Sequence, residues 1–134
     1  QGGNNPTFVS PLDYDQRHTG SVSIDYRTGT RSRIPLLGAN ILFQFGSGMR
    51  YTPAQPRTTI FAGGISDRPT AGLNTGTMPW TFNLDLKFDK TFKIAKTNLN
   101  FFLWVLNALD QENVYGVYTG TGLPDNDGWL GIAE

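Results

Sequence analysis

Between Trp80 and Ile94 apolar and polar side chains alternate one for one. Even positions read Trp80, Phe82, Leu84, Leu86, Phe88, Lys90, Phe92 and Ile94; odd positions read Thr81, Asn83, Asp85, Lys87, Asp89, Thr91 and Lys93. Seven of the eight even residues are apolar and no odd residue is. Successive side chains of a strand point to opposite faces, so this spacing predicts a strand with one apolar and one polar face. The alternation lasts 15 residues. Strands of soluble domains usually run about 5–6 residues, whereas a tilted membrane-crossing strand needs about 9–11. Length therefore favours a strand that crosses a bilayer.

Three further segments follow the same period. From Ser21 to Arg27, Val22, Ile24 and Tyr26 alternate with polar residues. From Leu37 to Phe45, Leu37, Ala39, Ile41, Phe43 and Phe45 share a face, with Leu42 an exception on the other. From Leu99 to Val105, Leu99, Phe101, Leu103 and Val105 share a face. The opposite face begins with Asn98 and Asn100 and then turns apolar at Phe102, Trp104 and Leu106. A water-filled lumen would not hold such a patch; a face packed against something inside a barrel would. A fifth strand is expected near Val114–Tyr118.

The connections alternate in length. Thr28–Pro35 and Ala95–Asn98 are short, while Thr52–Pro79 and the stretch from Asp110 onward are long and rich in Gly and Pro. Short turns at one end and long loops at the other is the outer-membrane barrel arrangement. It makes the first strand descend to the periplasm, the second rise, the third descend and the fourth rise. Residues 1–18 then belong to another outward loop. Trp80, at one end of the longest strand, is the best candidate for an interfacial aromatic girdle.

Composition agrees. Sixteen Gly, eight Pro and 13% aromatics indicate an all-β chain. No apolar run reaches the roughly 18 residues of a membrane helix, but barrel strands average out to polar. Eleven basic and eleven acidic residues cancel, which offers no electrostatic case for nucleic acid. The absence of Cys removes disulfides, thiolate nucleophiles and thiolate zinc sites. The sequence begins without an initiator Met or a signal-peptide pattern and stops after a loop-like stretch, so it is read as a fragment.

Five segments, in order, resemble late barrel strands of TonB-dependent outer-membrane receptors. They are Leu12-Asp13-Tyr14-Asp15-Gln16-Arg17-His18-Thr19; Phe43-Gln44-Phe45-Gly46-Ser47-Gly48 with Tyr51-Thr52-Pro53; Asn83 to Phe92; Leu103 to Val114; and Tyr118 to Gly122 with Pro124 to Gly128. The likeness covers roughly residues 11–130. It departs from the family in lacking a plug domain, a TonB box and a final strand ending in an aromatic residue, and in Trp104, where a polar residue is usual. The resemblance implies an up-and-down barrel of about 22 strands with a plugged lumen. It implies uptake of a scarce nutrient (siderophore, glycan, peptide or similar) driven by TonB through the missing plug. The implied partners are outer-membrane lipid, the remainder of the receptor chain and a surface lipoprotein.

Residues 1–134 thus read as four to five antiparallel strands of a larger barrel in the bacterial outer membrane. Trp80, Phe82, Leu84, Leu86, Phe88 and Phe92 are expected to face lipid; Asn83, Asp85, Lys87 and Asp89 are expected to face the lumen. Loops 52–79 and 114–128 are the ligand-contact candidates, on position alone. On this reading Leu84→Arg is costly and a matched change at Asp85 is nearly neutral.

No enzyme motif, cofactor site or metal site is expected. His18 could serve as a general base, but a lone His at a strand start is more simply a hydrogen-bonded loop residue. Asp125-Asn126-Asp127-Gly128 resembles the start of a calcium loop without its later Glu, and such a turn needs no ion. Asp85, Lys87 and Asp89 are read as a lumen wall rather than a catalytic pair. Gly46-Ser47-Gly48 is read as a strand-end turn. Two rival readings stand beside the barrel: a soluble secreted β-sandwich binding module, whose second sheet would cover the apolar face, and a structural subunit of an oligomeric barrel.

Overall fold

A computed structural model of the chain describes residues 9–56 and 68–128. The described residues are all-β, with antiparallel sheets and no helix. Six strands occur: β1 (Thr19–Arg27), β2 (Leu37–Gly46), β3 (Arg50–Tyr51), β4 (Gly76–Thr77), β5 (Thr81–Ile94) and β6 (Thr97–Val105). The chain divides into two units. One holds residues 18–46 and 81–113; the other holds 1–17, 47–80 and 114–134.

The first unit is an open four-stranded sheet in the order β1-β2-β5-β6. Each alternating segment becomes a strand, and β5 runs for 14 residues. The pairing brings the four apolar sets into register. Val22 lies opposite Phe43, and Phe43 opposite Leu84; Ile24 lies opposite Ile41, and Ile41 opposite Leu86. On the other side of β5, Leu86 meets Val105, Phe88 meets Leu103 and Phe92 meets Leu99. A slip by one residue would send a whole strand's apolar set to the wrong face.

Two turns fix this register. Thr28 closes the first: its N–H donates to the Leu37 carbonyl at 2.8 Å, and its hydroxyl accepts the Leu37 N–H at 2.9 Å. The β5–β6 connection contracts to Ala95-Lys96, because pairing continues to Ile94 opposite Thr97. Ala95 adopts φ 52°, the left-handed region.

The fifth strand expected near Val114–Tyr118 does not form; that stretch is irregular. After β6 the chain turns at Asn107 and Asp110, both at φ 49°. Residues in and after the turn then serve the free stretch of β5 in another way. The Ala108 N–H donates to the Leu84 carbonyl at 2.7 Å. The Asn113 side chain accepts the Phe82 N–H at 2.8 Å and donates to the Phe82 carbonyl at 2.7 Å. One side-chain amide thus replaces a ladder residue and satisfies both backbone groups.

Asn113→Ala should therefore leave the Phe82 amide and carbonyl without these partners. The expected cost is about 1–3 kcal/mol, read by denaturant titration, with faster hydrogen exchange at Phe82. Exchange unchanged at that amide would refute the clamp.

Candidate functional site

The sheet separates the two candidate sets. Phe82, Leu84, Leu86, Phe88 and Phe92 share one face of β5, and Asn83, Asp85, Lys87 and Asp89 share the other. Trp80 lies immediately before the strand and is 46% exposed. The apolar face extends across all four strands. It stays open: Val22, Ile24, Phe88, Phe101 and Leu103 are 42–60% exposed. Ala54 is the one buried apolar residue among those described, and it belongs to the other unit.

The polar face carries a connected set of side chains. Asp89 reaches Arg27 at 3.7 Å across β2. The crossing is possible because Gly38, between them in the register, has no side chain; a Cβ there would collide with the Asp89 carboxylate. Arg27 also meets Asp25 at 3.1 Å. The Lys87 ammonium lies 5.9 Å from the centre of the Trp104 ring. Phe102 and Trp104 stand on this face, 71% and 58% exposed. Asp85 has a more local task than lining a wall. One of its oxygens accepts the Asn83 side chain at 2.9 Å and the Asn107 N–H at 3.0 Å, which holds the turn after β6. A change at Asp85 is therefore not a neutral control. Neither Asn107 nor Asn113 stood out from the alternation, although Asn beside a strand end is a recognisable turn signal.

The second unit brings together parts of both ligand-contact loops and residues 11–17. Arg50-Tyr51 pairs with Gly76-Thr77, so loop 52–79 is closed at its base rather than structureless. Residues 57–67 of that loop lie outside the described residues. Asn74, 8% exposed and at φ 58°, is the hub. Its amide donates to the Pro11 carbonyl at 2.8 Å and to Asp13 at 2.5 Å. Its N–H donates to the Thr52 hydroxyl at 3.0 Å. Arg50 approaches Asp15 at 3.6 Å and donates to the Thr77 hydroxyl at 2.7 Å. Arg17 meets the same Asp15 oxygen at 3.6 Å. The two loops join where the Ala54 N–H donates to the Thr119 carbonyl at 2.9 Å.

The remaining singled-out residues sit at or beside strand ends and turns. His18 immediately precedes β1. Gly48 passes so close to the Met78 carbonyl that a Cβ would overlap it, as a strand-end turn requires. In Asp125–Gly128 the Gly128 N–H donates to the Asn126 side chain at 2.8 Å, and the Thr121 hydroxyl donates to the Asn126 carbonyl. No group of metal-ligating side chains occurs among the described residues. No family model, curated protein or solved structure matches the chain.

Two substitutions should loosen the loop cluster by different routes. Gly48→Ala sets a methyl against a backbone carbonyl that cannot swing aside, and should cost about 1–3 kcal/mol. Asn74→Ala empties the hub: Asp13 and the Pro11 carbonyl lose their donor, and the Thr52 hydroxyl loses the side-chain oxygen it donates to at 3.2 Å, at a similar cost. Limited proteolysis should cut loop 52–79 faster in both variants. Unchanged cleavage would mean that the hub does not order the loop.

Proposed function

We propose that the four-stranded sheet is a section of the wall of a bacterial outer-membrane barrel. Its apolar face meets lipid, with Phe82, Leu84, Leu86, Phe88 and Phe92 on it and Trp80 at its end. The face with Asn83, Asp85, Lys87 and Asp89 lines the interior. The observation that carries the reading is the continuity of the apolar face across all four strands, left open by the described residues.

The dimensions suit a bilayer. Phe82 and Phe92 are ten residues apart on β5. At about 3.3 Å per residue and a tilt of about 40°, that separation is roughly 25 Å, the height of an outer-membrane apolar band. The meander of neighbouring antiparallel strands with short turns at one end suits an up-and-down barrel. A β-sandwich needs a second sheet of comparable size, and β3–β4 pairs two residues with two. Four strands cannot close a barrel, and lipid does not tolerate open edges. On this reading further strands complete the wall and something in the lumen covers Phe102 and Trp104.

Within that class we favour a TonB-dependent receptor, on the resemblance of residues 11–130. Residues 11–17 and the loops 52–79 and 114–128 would then form an outer vestibule that captures a nutrient. A plug elsewhere in the receptor would admit it when TonB pulls, and a surface lipoprotein would be a partner.

Two measurements test this. In outer membranes solubilised in detergent, an antibody to residues 52–79 should detect a polypeptide several times larger than 14.8 kDa. A 14.8 kDa band in the soluble fraction would overturn the reading. Leu84→Arg should cost about 2–4 kcal/mol near the midplane, against about zero for Gln44→Arg, which lies on the opposite face. Equal tolerance at the two positions would sink the assignment of faces.

A further inference from the structure

The net charge of zero conceals an uneven distribution. Six of the eleven basic residues gather at the short-turn end of the sheet: Arg27, Arg31, Arg33, Lys90, Lys93 and Lys96. The carboxylates at that end, Asp25 and Asp89, are both engaged by Arg27. Arg31, Arg33, Lys93 and Lys96 have no ion-pair partner among the described residues. The imbalance is therefore not neutralised within the sheet.

The same end contains a hollow of about 390 Å³, lined by Thr30, Pro35, Lys90, Thr91, Phe92 and Lys93, with Leu36 beside them. It arises from unequal strand lengths. Pairing of β2 with β5 ends at Leu37 opposite Lys90, while β5 continues to Ile94. In the notch the Thr91 N–H donates to the Leu36 carbonyl at 3.1 Å. The strand period turns the Lys93 N–H to the same side. Lys90 stands among the apolar residues of β5, and its ammonium bends back to the Pro35 carbonyl and lies 5.7 Å from the centre of the Phe92 ring. A lysine that runs its stem along an apolar face and turns its head to a polar boundary marks the level where hydrocarbon gives way to headgroups.

We propose that this notch seats an anionic phospholipid of the leaflet at the short-turn end. The phosphate meets the Lys90 ammonium and the Lys93 N–H, with Thr30 beside it. The first methylenes of the acyl chains run along Phe92, Pro35 and Leu36. Arg31, Arg33 and Lys96 surround the seat with positive charge, which attracts an anionic headgroup over a zwitterionic one. This inference rests on the membrane reading and adds a lipid class and a position to it.

The test uses the purified protein in detergent, mixed with equal amounts of phosphatidylglycerol and phosphatidylcholine, with retained lipid measured by native mass spectrometry. Phosphatidylglycerol should be retained roughly tenfold over phosphatidylcholine, and less so as salt rises. The triple variant Arg31→Gln, Arg33→Gln, Lys90→Gln should retain both lipids about equally, with its β circular-dichroism signature intact. Should the variant misfold, Thr30→Val should weaken retention without altering charge. Equal retention by the unaltered protein, or a preference that survives both sets of changes, would overturn the seat and leave the membrane reading standing. Displacement of phosphatidylglycerol by equimolar inorganic phosphate would reduce the notch to a simple anion site and overturn the lipid assignment. Retention of neither lipid would overturn the seat, whereas recovery of the protein in the soluble fraction without detergent would overturn the membrane reading beneath it.

Discussion

The register of β2 between β1 and β5 is the constraint on which the sheet depends. Apolar residues in a strand define a face only for that strand; pairing decides whether neighbouring faces coincide. Here Phe43 lies between Val22 and Leu84, and Ile41 between Ile24 and Leu86. Rows of apolar side chains therefore cross the sheet without interruption. The closure at Thr28 holds the β1–β2 register, while the closure at Ala95-Lys96 and the Asn113 clamp on Phe82 hold the chain on the other side of β5.

That arrangement leaves the sheet without the usual source of stability. Water-soluble sheets gain most from burying an apolar face, at about 25 cal/mol per Å². In this sheet the face is open and no large side chain in the described residues is fully buried. On the proposed reading, the surroundings of the sheet supply what a core supplies elsewhere. Hydrocarbon does so without a second sheet, provided that every backbone donor and acceptor is paired. The attention given to backbone groups along β5, down to a side-chain amide in place of a missing strand, is consistent with that demand.

The polar face and the loop cluster follow a different logic. Their charges are arranged in linked pairs: Asp89 with Arg27 over Gly38, and Asp15 between Arg17 and Arg50. Partly exposed ion pairs of this kind add little stability individually. They do orient side chains across neighbouring strands and tie loop bases to one another. Asn74 does more for order, since it binds two separate segments of chain, at Pro11–Asp13 and at Thr52, from a buried position.

The sequence by itself determined the strands and their faces, because a period of two is a local property and survives without knowledge of any partner. All four alternating segments became strands, and the polar and apolar sets of β5 separated as their spacing required. The turn lengths were also legible, so the meander of neighbouring strands could be read before any pairing was known. Only the tertiary structure decided what depends on residues distant in the chain. Asp85 looked like one of several wall charges until Asn107 was brought to it from 22 residues away. Val114–Tyr118 looked like a strand, but Asn113 had already taken the hydrogen bonds at Phe82. The reason Gly38 must be small lies in the Asp89 side chain on another strand. The basic notch exists because β5 outruns β2, a difference in length that becomes a surface only once the two are paired.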